Sequence, residues 1–201
     1  MTDVLDEVRA HVRGHFARVG LTAAPDAASV TFLGTERIEV LRFGPDDRSP
    51  FNGAYHYVSL GCSRHPMFDP AEMVTDAIHG PRAEVVLSLR GATPTGLARS
   101  IAVLAAAPAV EGLMLEPDAL VDLGSPLWQG SSFSAVLLGP SDIEAAPLPP
   151  PRAPVVVLAA TPITATEAAW VRLKGADAMR EAWRDDGVDT LAPRRKAANP
   201  G

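Results

Sequence analysis

Ala83-Glu84-Val85-Val86-Leu87-Ser88-Leu89, followed by Arg90-Gly91-Ala92-Thr93-Pro94, is the stretch that decides the fold class. A short run dominated by apolar and β-branched side chains, closed by Gly91, fits a strand at the centre of a sheet. Thr93 and Pro94 then offer an N-cap and a first-turn proline for a helix through Leu97, Ile101 and Leu104, with Pro108 beyond its end. A strand passing into a helix predicts an architecture that mixes the two.

Upstream, Val4, Leu5, Val8, Val12, Phe16 and Val19 recur at spacings of three and four, which predicts an amphipathic helix ending near Gly20. Ser29–Leu33 and Arg37–Phe43 read as a hairpin turning at Gly34-Thr35, and Ala54–Leu60 as a further strand after the polar turn 45–53. Pro70 opens a short helix over Ala71–Ile78. Downstream, strands are expected at Ser134–Leu138 and Val155–Ala159, joined across the proline-rich surface connection 147–151. Thr164-Ala165-Thr166-Glu167 has the form of a reciprocal capping box and starts a helix that turns Trp170 and Leu173 inward. After Lys174-Gly175, a second helical set with Met179, Ala182 and Trp183 runs to Gly187. The expected fold is α+β, a mixed sheet covered by helices.

The chain has 201 residues, with 18 Lys and Arg against 24 Asp and Glu and a net charge of -6. A single domain of this length buries about 70% of the surface its unfolded chain exposes, so disulfides and structural metals are unnecessary. The one cysteine, Cys62, cannot form an internal disulfide, which points to a reducing, cytoplasmic setting. The acidic balance argues against nucleic-acid binding. No apolar run is long enough for a membrane span, and the acidic N-terminus lacks the basic start of a signal peptide.

Candidate chemistry is sparse. Cys62 and His65 could form a thiolate-imidazole pair and make a small cysteine-dependent hydrolase, but neither an oxyanion donor nor a third orienting residue is identifiable. His11 and His15 lie four apart on the first helix without a third ligand, so solvated side chains are expected and no metal site. Gly91-Ala92-Thr93-Pro94-Thr95-Gly96 has the spacing of a phosphate loop, but Leu97-Ala98 replace the residues that would grip phosphate and magnesium. Glu111, Glu116, Asp118 and Asp122 read as solvated loop acids. Trp170 and Trp183 fit core positions, whereas Trp128, in the loop 124–130, and Asp46 and Asp47, in the loop 45–53, are candidates for contact with a partner.

At Tyr57-Val58-Ser59-Leu60-Gly61-Cys62-Ser63-Arg64, at Pro81-Arg82-Ala83-Glu84-Val85-Val86-Leu87 and at Thr161-Pro162-Ile163-Thr164-Ala165-Thr166-Glu167, the chain resembles the suppressor of fused domain family, with the blocks in the same order. Lys174-Gly175-Ala176-Asp177-Ala178-Met179 is similar to the family's closing stretch. The likeness is that of a bacterial, single-domain member. It implies a fold like the family's N-terminal domain and a non-enzymatic protein-binding function. Animal relatives hold a transcription factor by adding its extended segment to sheet surfaces between two domains; bacterial relatives act as immunity proteins in toxin systems. The family-like positions are Tyr57, Gly61, Arg64, Glu84, Pro162 and Glu167, each with a structural role as turn, cap or core. No catalytic, cofactor or metal residue is carried over, and the expected partner is a protein, a toxin among the bacterial relatives. The resulting layout is a helix and loop over 1–28 belonging to the same domain, the family-like domain over 29–187, and a flexible tail over 188–201.

Overall fold

The computed structural model describes residues 3–198. Seven strands form one sheet in the order β1-β2-β3-β4-β7-β6-β5, namely β1 Asp26–Val30, β2 Ile38–Asp46, β3 Ala54–Leu60, β4 Arg82–Arg90, β5 Leu120–Asp122, β6 Phe133–Pro140 and β7 Val155–Thr164. Neighbours are antiparallel except β4 and β7 at the centre, which run parallel from Arg82↔Val155 to Val86↔Ala159. Covered on both faces and both edges, β4 is buried almost throughout, which is why its sequence reads as a continuous apolar run.

The helices are α1 Val4–Arg18, α2 Leu97–Glu111, α3 Ala165–Lys174 and α4 Ala176–Asp185. Helix α1 packs Val8, Val12 and Phe16 against Leu41, Val58, Val86 and Val157. On the opposite face, α2 sets Leu97, Ile101 and Leu104 against Val85, Leu87, Val136 and Leu158. Helices α3 and α4 cover Ala135, Leu137 and Ile163. Alternation along β7 puts Ile163 on the same side as Val157, so α1 and the α3–α4 pair share one face and pack on different strands.

The capping box forms as expected: Glu167 N–H donates to Thr164 Oγ1 at 3.2 Å, and Thr164 N–H donates to Glu167 Oε2 at 3.0 Å. The same carboxylate also accepts from Trp183 Nε1 at 2.9 Å, from the Ala198 N–H at 3.0 Å, and from both terminal nitrogens of Arg195 at 2.7 and 3.0 Å. Burial alone would raise its pKa; the Arg195 guanidinium and the donated N–H groups outweigh that and hold it below the ordinary glutamate value. Arg195 in turn lies against the rings of Phe133 and Trp183 and donates to Pro162 O. The segment 188–198 is therefore bound to the domain, contrary to the frayed tail expected there; expectations for Asn199-Pro200-Gly201 fall outside the described residues.

Other departures have local causes. The hairpin forms three residues earlier than expected, with Asp26–Val30 as its first strand. Helix α2 starts at Leu97 behind Gly96, because the Thr93 hydroxyl is engaged by Arg42 and by the Tyr57 hydroxyl instead of capping. Pro108 lies within its last turns, where it forgoes a single backbone bond. Residues 71–78 are not helical: Asp69 and Asp76 accept from Ala71, Ile78 and His79 N–H groups, which fixes turns, and Met73 and Val74 have no face to pack on. Strand β5 has three residues and carries no periodicity to detect, and it places Asp122 on an ordered strand, paired with Arg172. Asp118 is likewise tied to Arg180 of α4. Leu173 points to solvent and Val171 packs instead. Leu148 of the proline-rich connection turns into the core beneath α1.

Removal of the Arg195 guanidinium leaves the buried Glu167 carboxylate without its countercharge. Arg195→Ala is expected to cost about 3 kcal/mol in urea unfolding, against about 1 kcal/mol for Thr164→Ala. Both Glu167 and Asp46, whose pKa is held down to about 2 against an ordinary 3.8, are depressed on folding. Their contribution to stability is present above the unfolded carboxylate range and is lost as pH falls through the folded values. Melting temperatures measured from pH 6 to pH 2 should therefore fall most steeply below about pH 4, and less steeply in Arg195→Ala.

Candidate interaction surface

The end of β3 is shaped by a carboxylate. Glu84, fully buried on β4, accepts from the Gly61 N–H at 2.8 Å, the Ser63 N–H at 2.9 Å, Ser63 Oγ at 2.6 Å and Ser59 Oγ at 2.5 Å. These bonds curl Cys62–Arg64 into a single 3-10 turn, which Arg82 secures by donating to the Ser63 and Arg64 carbonyls at 2.8 Å. Gly61 enters the turn at φ 148°, and a Cβ there would stand 2.9 Å from Ile38 Cδ1 and 3.0 Å from Arg37 O. Only glycine fits that backbone so close to its neighbour strand.

The turn forms one wall of a groove of about 420 Å³, lined by Ile38, Cys62, Met67 and Phe68 and, from α2, by Ala105 and Ala109. The alanines keep the α2 wall low. Phe68 is half-exposed, and Leu33 and Val110, chain neighbours of lining residues, are exposed. At the rim, Glu36 joins Arg64 at 3.2 Å and His65 at 2.9 Å. Beside the groove, β1 pairs with β2 alone and is the sheet's edge, and Val30 and Phe32 pack with Ile38, Ala102 and Ala105. An apolar groove next to an unpaired strand edge is a surface suited to binding another chain.

It is unsuited to cysteine catalysis. Burial pushes the Cys62 thiol well above its ordinary pKa and the Glu84 carboxylate adds to the effect, so the thiolate is suppressed. His65 is turned to Glu36 at the surface. Among the described residues no group of three His, Cys, Asp or Glu side chains is placed to hold a metal ion. His11 bonds to the Glu144 carbonyl, and His15 is buried against Phe16, which corrects the expectation of two solvated histidines.

The remaining sequence candidates separate. Tyr57 fixes Thr93 at 2.8 Å, Arg64 pairs with Glu36 at the groove's rim, Pro162 receives Arg195, Glu167 binds the C-terminal segment and Glu84 holds the turn from beneath, so Gly61 alone of the six lines the groove. Trp128 is only 6% exposed and packs on Phe133 in the core, and Asp46 is 0% exposed beneath Arg48 and His56. Neither is presented at the surface: the loop around Trp128 folds back over the start of α2, with Gln129 N–H bonded to Thr95 O and Ser100 Oγ to Leu127 O. Asp47 is exposed. The groove itself escapes sequence reasoning because its walls come from three separate segments, 34–38, 61–68 and 105–109; the one visible signal is Phe68, an apolar residue in a stretch without periodicity.

A family model described as suppressor of fused protein matches residues 34–196. Among solved structures, a suppressor of fused homologue from Neisseria gonorrhoeae aligns with a TM-score of 0.68 at 17% identity, covering 98% of this chain and 97% of that one. A chain of the Sufu-Fu complex aligns with a TM-score of 0.69 at 12% identity, over 96% of this chain and 91% of that one. Drosophila Suppressor of Fused aligns at 0.68 and 16% identity over 98% of this chain but 51% of its own, so this chain spans about half its length. No curated protein matches the sequence. At these identities the structures establish a shared fold.

The groove's supports yield an expected outcome. Gly61→Ala should destabilise the protein by about 2 kcal/mol, through a strained backbone and the Ile38 clash. Cys62→Ser should stay folded, and iodoacetamide should alkylate native Cys62 far more slowly than the urea-unfolded chain. Fast native alkylation would show an accessible thiolate.

Proposed function

Because the chain belongs to the suppressor of fused family, we propose that it is a protein-interaction domain that acts by stoichiometric binding, and that the groove between the Cys62–Arg64 turn and α2, with the β1 edge beside it, receives the partner. The observation that carries this reading is the family match over residues 34–196. A relative of the same fold is known in a Sufu-Fu complex. The groove supports the reading because it presents apolar surface, unpaired backbone groups and a charged rim on rigid elements.

At a finer level, we propose that the partner is a bacterial toxin that the domain neutralises in the cytoplasm. The net charge of -6 supports a basic partner, since complementary charge raises association rates at low salt. The single free cysteine fits a reducing compartment.

The test is affinity purification from the native host, followed by titration of the recovered partner. A one-to-one complex is expected, weakened at least about tenfold by Phe68→Glu, which alters an exposed side chain and spares the fold. Expression of the partner should arrest growth and co-expression of this chain should restore it. A partner that binds Phe68→Glu and the parent equally would move the interface elsewhere, and a harmless partner would remove the toxin reading.

A further inference from the structure

A cavity of about 210 Å³ opens on the sheet face shared by α1 and α3–α4, away from the α2 groove. Phe16, Phe51, Val86 and Leu191 give it apolar walls, and Asp142 and Pro140 lie at its solvent side. His56 and Ser88, directly opposed on β3 and β4, line it. His56 Nδ1 is 2.7 Å from Ser88 Oγ, and His56 Nε2 is 2.8 Å from Asp46 Oδ2 on β2. Three adjacent strands thus align a carboxylate, an imidazole and a hydroxyl in one chain that ends at the cavity.

The direction of the hydrogen bonds follows from the carboxylate. Burial would raise the Asp46 pKa, but the Arg48 guanidinium, the Arg48 N–H and His56 bring it to about 2, so Asp46 is ionised and can only accept. His56 Nε2 therefore carries the proton donated to Asp46, and in the neutral ring Nδ1 is the acceptor for the Ser88 hydroxyl. Phe16 stacks on the imidazole at 5.2 Å and Phe51 meets it edge-on at 4.7 Å, which fixes the ring. Asp46 and His56 are buried, whereas Ser88 is partly exposed. Hydroxyl, base and orienting carboxylate follow in the order that activates a serine, with the two ring nitrogens exchanged relative to the Ser-His-Asp triad.

We propose that Ser88 is an activated nucleophile that accepts the acyl group of a small, uncharged carboxylic ester, with His56 as its base and Asp46 as the residue that positions His56. Ser88 Oγ bonds to the carbonyl carbon while its proton passes to His56 Nδ1. The carbon-oxygen bond to the leaving alcohol then breaks, and that oxygen takes the proton from His56. Water completes the cycle: its oxygen bonds to the acyl carbon, its proton goes to His56, and the proton returns to Ser88 as the acid departs. The cavity volume and its apolar walls suit short acyl chains, and Thr161 and Thr190 are the hydroxyl residues, besides Ser88 and Ser141, that line it and could donate to the carbonyl oxygen.

The test uses the full chain with a fluorophosphonate probe, and p-nitrophenyl acetate and butyrate as esters. Peptide mapping should find one adduct, on Ser88, absent in Ser88→Ala and formed at least about tenfold more slowly in His56→Gln and Asp46→Asn. If either buried variant fails to melt cooperatively, Ser88→Cys in a Cys62→Ser background replaces it, and its thiol should react with iodoacetamide at least about tenfold faster at pH 7 than an unperturbed cysteine peptide. No adduct on Ser88, equal labelling in a folded His56→Gln, or a thiol of ordinary reactivity overturns the proposal. None of these outcomes bears on the α2 groove, which lies on the opposite face.

Discussion

The buried carboxylate of Glu167 is the constraint on which the closure of this domain depends. A charged group enclosed in the core is unstable unless each of its lone pairs is matched, and here the donors come from four places in the chain. Thr164 supplies the start of α3, Trp183 the end of α4, and Arg195 and Ala198 the C-terminal segment. Meeting that single requirement ties two helices and the chain's last described residues to one end of β7. Arg195 serves twice, since its planar head also fills the space between Phe133 and Trp183.

Glu84 plays the corresponding part on the other side of the sheet's centre, with a different set of donors. Its partners are two backbone N–H groups and two serine hydroxyls, so the chain after β3 must wrap around it. The groove is a by-product of that wrapping: the turn it forces projects Cys62 toward α2, whose small side chains leave the space open. The two family-like glutamates thus set the domain's outline by satisfying themselves.

Much of this fold was legible in the sequence, because the decisive signals were local. The Thr164–Glu167 box, the heptad-like spacing of α1 and the apolar run of β4 each follow from interactions within a few residues. Where a local rule met long-range partners, sequence reasoning chose wrongly: Thr93 has the chemistry of an N-cap, but Tyr57 and Arg42 claim its hydroxyl from strands that are distant in sequence. Trp128 looked like a loop aromatic because its core neighbour Phe133 becomes a neighbour only after the loop folds back over α2. The site was less legible than the fold. Asp46, His56 and Ser88 span three strands, and strand register, which the sequence does not state, is what aligns them. Arg195 was read as part of a flexible tail, since nothing near it in sequence announces a carboxylate partner.

The parallel pairing of β4 with β7 has a consequence for the order of events during synthesis. β4 is complete at Arg90, yet the strand that covers its inner edge begins at Val155 and the segment that locks β7's end reaches Ala198. While the ribosome makes the intervening residues, the nascent chain carries a hydrophobic strand with an open edge at what will become the middle of the sheet. The domain therefore cannot be assembled outward from its N-terminal half. It closes only when β7 and the segment through Ala198 have left the exit tunnel, so a stop before Val155 deletes the strand that joins the two half-sheets.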